Sequence, residues 1–215
     1  MESSKKIISN PVINRLPRYY RYLDNLLKNG VRRISSDGIS KLMGLTPSQI
    51  RQDFNLFGGF GQQGYGYNVA QLHEEIGKIL NLDKELPTIL IGAGNLGRAV
   101  ASNALGGSNG FRLIGVFDKN AENISQNIAG LPISPMSELE AFCKENKPQV
   151  AVLCTPTESA KELADRLISL GIDKFWNFTN YDLLVHHPEI LVENVHIKDS
   201  LMALSYRANN SSERK

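Results

Sequence analysis

Ten residues, Thr88-Ile-Leu-Ile-Gly-Ala-Gly-Asn-Leu-Gly97, constrain the fold more than any other stretch of the chain. Thr88 to Ile91 is an apolar, largely β-branched run that predicts a buried strand. Gly92, Gly94 and Gly97 follow at the spacing G-x-G-x-x-G, and Leu96 to Ala104 predicts a helix. In such a unit the first glycine permits the tight turn. The second lets backbone approach a pyrophosphate, and the third lets the helix pack on the strand. The helix N-terminus then offers free N–H groups and a positive dipole end to phosphates. A second apolar run, Leu113 to Phe117, ends in Asp118, 21 positions after Gly97. An acid there accepts ribose hydroxyls and repels a 2′-phosphate, which predicts NAD(H) rather than NADP(H) as cofactor.

Beyond Asp118 the pattern alternates. Ser137 to Asn146 predicts a helix, Val150 to Cys154 a strand, Thr157 to Leu170 a helix stopped by Gly171, and Lys174 to Phe178 a strand. Strands alternating with helices make a parallel, Rossmann-like sheet. Ligands in such sheets sit outside the carboxyl ends of the strands. That rule gathers the candidate cofactor-binding residues: Gly92, Ala93, Gly94, Asn95, Leu96, Gly97, Asp118 with the following Lys119, Thr155, Pro156, Asn177 and Phe178. Ile197, Leu201 and Leu204, with Met202 and Tyr206 beside them, predict a last helix whose apolar residues need a surface to cover them. The tail from Ala208 to Lys215 is polar and is expected to be disordered.

The charge is unevenly spread. The whole chain carries +2, but residues 1–60 carry +6 and residues 61–215 carry −4. A basic module joined to an acidic one points to a polyanion met by the first part alone. In that part Ile13, Leu16, Tyr20, Leu23 and Leu27 recur at helical spacing, with Pro17 starting or kinking the helix. Arg15, Arg18 and Arg21 crowd near its beginning. A short helix follows from Ser35-Ser36, with Ile39 and Leu42 expected inward and Gly44 as its stop. Thr46-Pro47-Ser48-Gln49 is then a helix start in which Thr46 caps, Pro47 takes the first helical position and Gln49 completes a capping box. Ile50, Phe54 and Phe57 form the inner face of this third helix; Ser48, Arg51, Gln52 and Asn55 lie opposite. This is a helix-turn-helix layout. Arg suits guanine edges, and Gln and Asn suit adenine edges. Five glycines in the nine residues 58–66 exclude helix and predict a hairpin, the wing of a winged helix. The candidate DNA-binding residues are Arg15, Arg18, Ser48, Gln49, Arg51, Gln52 and Asn55, with Phe60, Gln62, Gln63 and Tyr65 on the wing.

At 215 residues two domains are expected. The expected divisions are a winged-helix domain with its linker helix over 1–80, a Rossmann domain over 81–190, and a C-terminal helix and tail over 191–215. No stretch approaches a membrane span, and no apolar signal region follows Met1. Cys143 and Cys154 make no disulfide framework, and His73, His186, His187 and His196 show no zinc spacing; no metal site is expected. The expected location is cytoplasmic. Past the sheet, too little chain remains for a substrate domain, and no histidine–acid pair presents itself as a general acid/base. A sensor is the expectation rather than an enzyme. A small NAD-dependent oxidoreductase, and a nucleotide- or CoA-binding module without a DNA role, stand as alternatives.

The motifs resemble the Rex family of redox-sensing transcriptional repressors over nearly the full length. The matching stretches are Arg15 to Leu23, Ser48 to Phe54, Phe57 to Tyr67, Gly92 to Gly97, Val116 to Asp118, Thr155-Pro156, and Gly171-Ile172 followed by Asn177-Phe178. The resemblance implies a homodimer with winged-helix and Rossmann domains and an exchanged C-terminal helix. It implies repression of fermentative or respiratory genes from a palindromic operator in double-stranded DNA, with release by NADH. It makes Arg51 a base reader, Gly92, Gly94 to Gly97 and Asp118 the dinucleotide site, and Arg21 a coupling residue whose partner is His196 or Asp199. The chain departs from the family pattern at Gln52, at Gln62-Gln63 on the wing tip, at Thr179-Asn180 and at His196.

Overall fold

A computed structural model of the chain describes residues 8–57, 61–62, 65–107, 110–120, 122–124 and 126–210. The chain divides into two compact units, Met1–Asp83 and Lys84–Lys215, each with its own core.

The first unit runs α1 (Asn10–Ile13), α2 (Leu16–Lys28), β1 (Arg33–Ile34), α3 (Ser36–Met43), α4 (Pro47–Asn55), β2 (Gly61–Gln62), β3 (Gly66–Asn68) and α5 (Val69–Ile79). Pro17 sits in the first turn of α2, so that helix starts there rather than kinking. Three side-chain caps set the other starts. Ser35 accepts from the Gly38 N–H at 3.0 Å, Thr46 from the Gln49 N–H at 3.2 Å, and Asn68 from the Gln71 N–H at 3.1 Å. β1, β3 and β2 pair antiparallel in that order, which makes the wing hairpin. Tyr19, Phe54 and Tyr67 interlock edge to face, with ring centroids 4.9 and 5.0 Å apart. They join α2, α4 and β3 in one apolar core with Leu16, Ile50 and Leu72.

Three expectations need correction. Ile13, expected on one buried face with Leu16 and Leu23, is 41% exposed at the end of α1. Leu42 is 42% exposed, and Met43 is buried with Ile39 instead. The pair Ile39/Met43 is spaced i,i+4, so its side chains stack on one face, and Leu42 falls beside that face. Gln49 does not complete a capping box, because its side chain reaches forward to Asp53 at 2.8 Å.

The second unit begins with β4 (Leu86–Ile91), α6 (Asn95–Asn103), β5 (Phe111–Asp118), β6 (Asn127–Ile128), β7 (Leu131–Pro135) and α7 (Leu139–Asn146). It continues with β8 (Val150–Leu153), α8 (Thr157–Ser169), β9 (Lys174–Asn177), β10 (Leu191–Asn194) and α9 (Ile197–Asn209). Among the described residues its sheet has the strand order β10-β9-β8-β4-β5-β7-β6. All pairs are parallel except the β6–β7 hairpin. The reversal of strand order at β4 opens a crevice where ligands of such sheets bind. The central strand β4 is sealed on both faces: Ile89 and Ile91 lie in one core cluster and Leu90 in another. The β6–β7 hairpin and β10 were not expected. α9 extends to Asn209, so Ala208 and Asn209 belong to a helix rather than to a loose tail; 211–215 lie outside the described residues.

The turn from β4 into α6 depends on missing side chains. Gly92 adopts φ +100, and a β-carbon at Gly97 would lie 1.8 Å from the Gly92 carbonyl oxygen. Gly97→Ala is expected to lower the stability of the second unit by about 2–3 kcal/mol, since backbone has to move to admit the methyl. Urea denaturation followed by the single tryptophan, Trp176, reads it; an unchanged midpoint would show that the helix can shift freely.

Candidate dinucleotide cleft and nucleic-acid interface

A cleft of about 550 Å³ lies at the carboxyl ends of β4, β5 and β8. Gly92, Gly94, Asp118, Lys119, Thr155 and Pro156 help to line it. Asn95 and Leu96 are exposed in the first turn of α6, the end with unsatisfied N–H groups and the positive dipole. A β-carbon at Gly94 would meet nothing within 4 Å, so this position leaves open space over the helix start. The Thr155 hydroxyl is buried and has no hydrogen-bond partner among the described residues. Asp118 is 8% exposed. Its Oδ2 accepts from the Ala93 N–H at 2.6 Å and from Asn123 Nδ2 at 3.1 Å, and its Oδ1 accepts from the Asn120 N–H at 2.8 Å. Donors at the helix end, an orphaned hydroxyl and a fixed carboxylate suit a ligand that carries both phosphate and a ribose diol. Cys154 also lines the cleft, but burial pushes its thiol up to about 12, so it is no nucleophile at neutral pH.

Asn177 and Phe178 do not line this cleft. Asn177 is fully buried and ties strands and loop together. Its Nδ2 donates to Asn194 Oδ1 at 2.8 Å and to the Tyr181 carbonyl at 2.9 Å, and its Oδ1 accepts from the Thr179 N–H and hydroxyl. Phe178 packs edge to face on Trp176 at 4.7 Å. Among the described residues no group of three His, Cys, Asp or Glu side chains is placed to hold a metal ion.

In the first unit, Ser48, Arg51, Gln52 and Asn55 are exposed on α4, opposite the buried Ile50 and Phe54. Arg51 Nη1 donates to the Ser36 hydroxyl at 3.0 Å. Arg15, Arg18 and Gln49 have interior partners. Arg15 forms a two-point pair with Asp53, Nε to Oδ2 at 2.7 Å and Nη2 to Oδ1 at 2.8 Å. Tyr19 donates to Asp53 Oδ2 at 2.7 Å, and Gln49 donates to Oδ1. Arg18 donates to the Met43 carbonyl at 2.9 Å, tying α2 to the end of α3. On the wing Tyr65 is 71% exposed. Gln62 is described only by its backbone in β2, and Phe60 and Gln63 lie outside the described residues.

Two family models match the chain. The one described as "Putative DNA-binding protein N-terminus" covers residues 7–55. The one described as "CoA binding domain" covers residues 83–181. The redox-sensing transcriptional repressor Rex of Thermoanaerobacter sp. (strain X514) is 50% identical over 207 residues, 96% of this chain and 92% of that protein. The Rex of Clostridium tetani is 47% identical over 210 residues, 97% and 99% of the two chains. Among solved structures, RSP in complex with β-NAD⁺ and operator DNA matches with a TM-score of 0.87 at 49% identity, covering 96% of this chain and 95% of that one. RSP in complex with β-NADH matches with a TM-score of 0.86 at 46% identity, covering 96% and 97%. The chain belongs to the Rex family.

Within this Rex protein the proposed coupling residues sit as follows. Arg21 is exposed, its guanidinium 6.0 Å from the Tyr22 ring centroid. His196 stands at the N-cap position of α9 without a side-chain capping bond, and its Nδ1 lies 3.3 Å from Asp199 Oδ2. Sequence reasoning missed Asp53, Asn123 and Arg98. Asp53 is an acid on a helix face otherwise read as apolar, a signal that was present but reads as an ordinary exposed charge. Asn123 donates to Asp118 and Arg98 donates to Asn123, contacts that no local pattern marks.

Asp53 is 1% exposed. Burial alone would raise its pKa, but the hydrogen bonds from Arg15, Tyr19 and Gln49 outweigh that and hold it below the usual carboxylate range. A carboxyl depressed in the folded state stabilises fully above its unfolded pKa of about 4, and the contribution is lost as pH falls through the folded value. Asp53→Ala is expected to destabilise the first unit by about 3–5 kcal/mol, because it strands a guanidinium and a phenol. Asp53→Asn is expected to flatten the loss of stability below about pH 4. Hydrogen exchange of the α2 and α4 amides measures both.

Proposed function

We propose that this Rex protein is a transcriptional repressor that holds a palindromic DNA operator through its first unit and lets go when NADH fills the cleft of the second. The likeness to RSP, met once with NAD⁺ and operator DNA and once with NADH at 46–49% identity over 96% of the chain, carries the reading. The residues present suit the dinucleotide. The α6 N–H groups and the space over Gly94 receive the pyrophosphate, Asp118 accepts ribose, and the Thr155 hydroxyl gains the partner it lacks. Coenzyme A is the rival suggested by the second family model. Its ribose carries a phosphate where Asp118 would meet it, so like charges oppose it.

NADH and NAD⁺ share every contact except those at the nicotinamide, so the discrimination arises there. Driving the population from mostly DNA-bound to mostly released takes a differential of about 5.5 kcal/mol between the two arrangements. Thr155, which lines the cleft, is assigned to that end, and Arg21 with His196 and Asp199 to the coupling; Phe178, packed on Trp176, is not in contact with the cleft. The acting unit is a homodimer. α9 leaves Ile197, Leu201 and Leu204 57–64% exposed, and a second copy of the chain supplies the cover. The working division is 1–80 for DNA, 81–190 for dinucleotide and 191–215 for dimerisation. The dinucleotide acts as a signal and is not turned over, and the site of action is the cytoplasm.

Gly94→Ala separates fold from ligand. Its methyl enters open space, so the melting temperature is expected to stay within a degree or two. NADH binding is expected to be lost, and with it the release from operator; retained NADH binding would put the pyrophosphate elsewhere. On the DNA side, Arg51→Ala is expected to weaken operator binding by about 1–3 kcal/mol if the side chain reads a base. Salt is held constant, since phosphate contacts depend steeply on it. Equal affinity would remove α4 as the reading helix.

A further inference from the structure

Asp118 stands one amide away from a cation. Arg98 lies on α6, and its Nη2 donates to Asn123 Oδ1 at 3.2 Å and to Gln126 Oε1 at 2.7 Å. Asn123 Nδ2 in turn donates to Asp118 Oδ2 at 3.1 Å. The order of this chain is forced. A guanidinium cannot accept and an ionised carboxylate cannot donate, so the amide oxygen faces Arg98 and the amide nitrogen faces Asp118. An arginine and an aspartate that flank one side chain would otherwise pair directly, in the two-point geometry the guanidinium favours. Here Nη2 of the guanidinium is turned to two neutral oxygens, and the carboxylate keeps its net charge toward the cleft.

The capacity of Asp118 sharpens the point. A carboxylate has about four acceptor positions. The Ala93 N–H and Asn123 fill those on Oδ2, and the Asn120 N–H fills one on Oδ1. What remains is on Oδ1, which leaves room for one further donor such as a ribose hydroxyl. A direct two-point pair with Arg98 would take the Oδ2 position that Asn123 holds and the remaining Oδ1 position with it. It would also cancel the charge that repels a 2′-phosphate and bring a cation to the place where such a phosphate binds.

We propose that Asn123 is the specificity-determining residue of the adenosine end, acting as an insulator that keeps Arg98 off Asp118 and so keeps the cleft selective for NADH over NADPH. The proposal rests on the reading that Asp118 accepts the adenosine ribose. Asn123 is a positioning residue here, working through the carboxylate.

The test is a set of NADH and NADPH titrations by ligand fluorescence on the full chain. Asn123→Ala is expected to cut the ratio of NADH to NADPH affinity about tenfold, by weakening NADH and admitting NADPH. Arg98→Met alone is expected to change the ratio less than about threefold, since Asp118 keeps its other donors. Arg98→Met added to Asn123→Ala is expected to restore most of the lost ratio, because the intruding cation is gone; a residue that merely shaped the loop would show no such reversal. Asn123→Ser repeats the first arm if the alanine variant melts early. An unchanged ratio in Asn123→Ala, or a double variant no better than the single, overturns the insulator role provided that Asp118→Ala collapses the ratio. If Asp118→Ala itself leaves the ratio intact, the ribose reading is at fault, and the insulator role falls with it.

Discussion

The carbonyl oxygen of Gly92 stands 1.8 Å from where a β-carbon on residue 97 would sit, and the second unit is arranged around that approach. Because residue 97 has no side chain, α6 begins directly on the end of β4, with its free N–H groups over the crevice. The same turn places the Ala93 N–H against Asp118 at the end of β5. One tight contact thus sets both the helix end that suits phosphate and the carboxylate that suits ribose. A β-carbon on Gly94 beside them would meet nothing within 4 Å.

The first unit solves a different problem. Its outward helix face has to stay in one orientation while carrying polar side chains that make few contacts at home. The buried Asp53 does this by collecting four hydrogen bonds from α2 and α4, two of them from the Arg15 guanidinium. The cluster is costly to half-assemble and stable when complete. It also accounts for two positively charged or polar side chains, Arg15 and Gln49, that would otherwise be counted among those facing DNA. The exposed set on α4 is correspondingly smaller: Ser48, Arg51, Gln52 and Asn55. Arg51 is steadied by the Ser36 hydroxyl alone among the described hydrogen bonds.

The same logic recurs at Asp118 in the cleft with the opposite outcome. In the Asp53 cluster an arginine meets an aspartate directly, and the charge is spent inside the protein. At Asp118 an asparagine stands between them, and the charge is left facing the cleft. The difference is one side chain wide, and it divides an acid that holds a fold together from an acid to which we assign the choice of ligand.

Local patterns in the chain determined the alternation of strands and helices, the glycine turn, the capping residue Thr46, and the uneven charge. Each depends on neighbours three or four residues away, or on the conformational range of a single residue, and these are visible in order along the chain. The hairpin of β6 and β7 and the edge strand β10 were not visible. Strands of two to five residues have too few alternations to register, and their pairing partners lie elsewhere in sequence. Asp53 drew no notice in the sequence, since its partners Arg15 and Tyr19 come from another helix, and Asn177 read as a ligand residue until β10 supplied Asn194. Which of Leu42 and Met43 turned inward was decided by packing. So were the partners of Arg98, which come from residues 25 and 28 positions away. Hydrogen bonds and burial between distant segments are properties of the folded chain, and only tertiary structure could assign them.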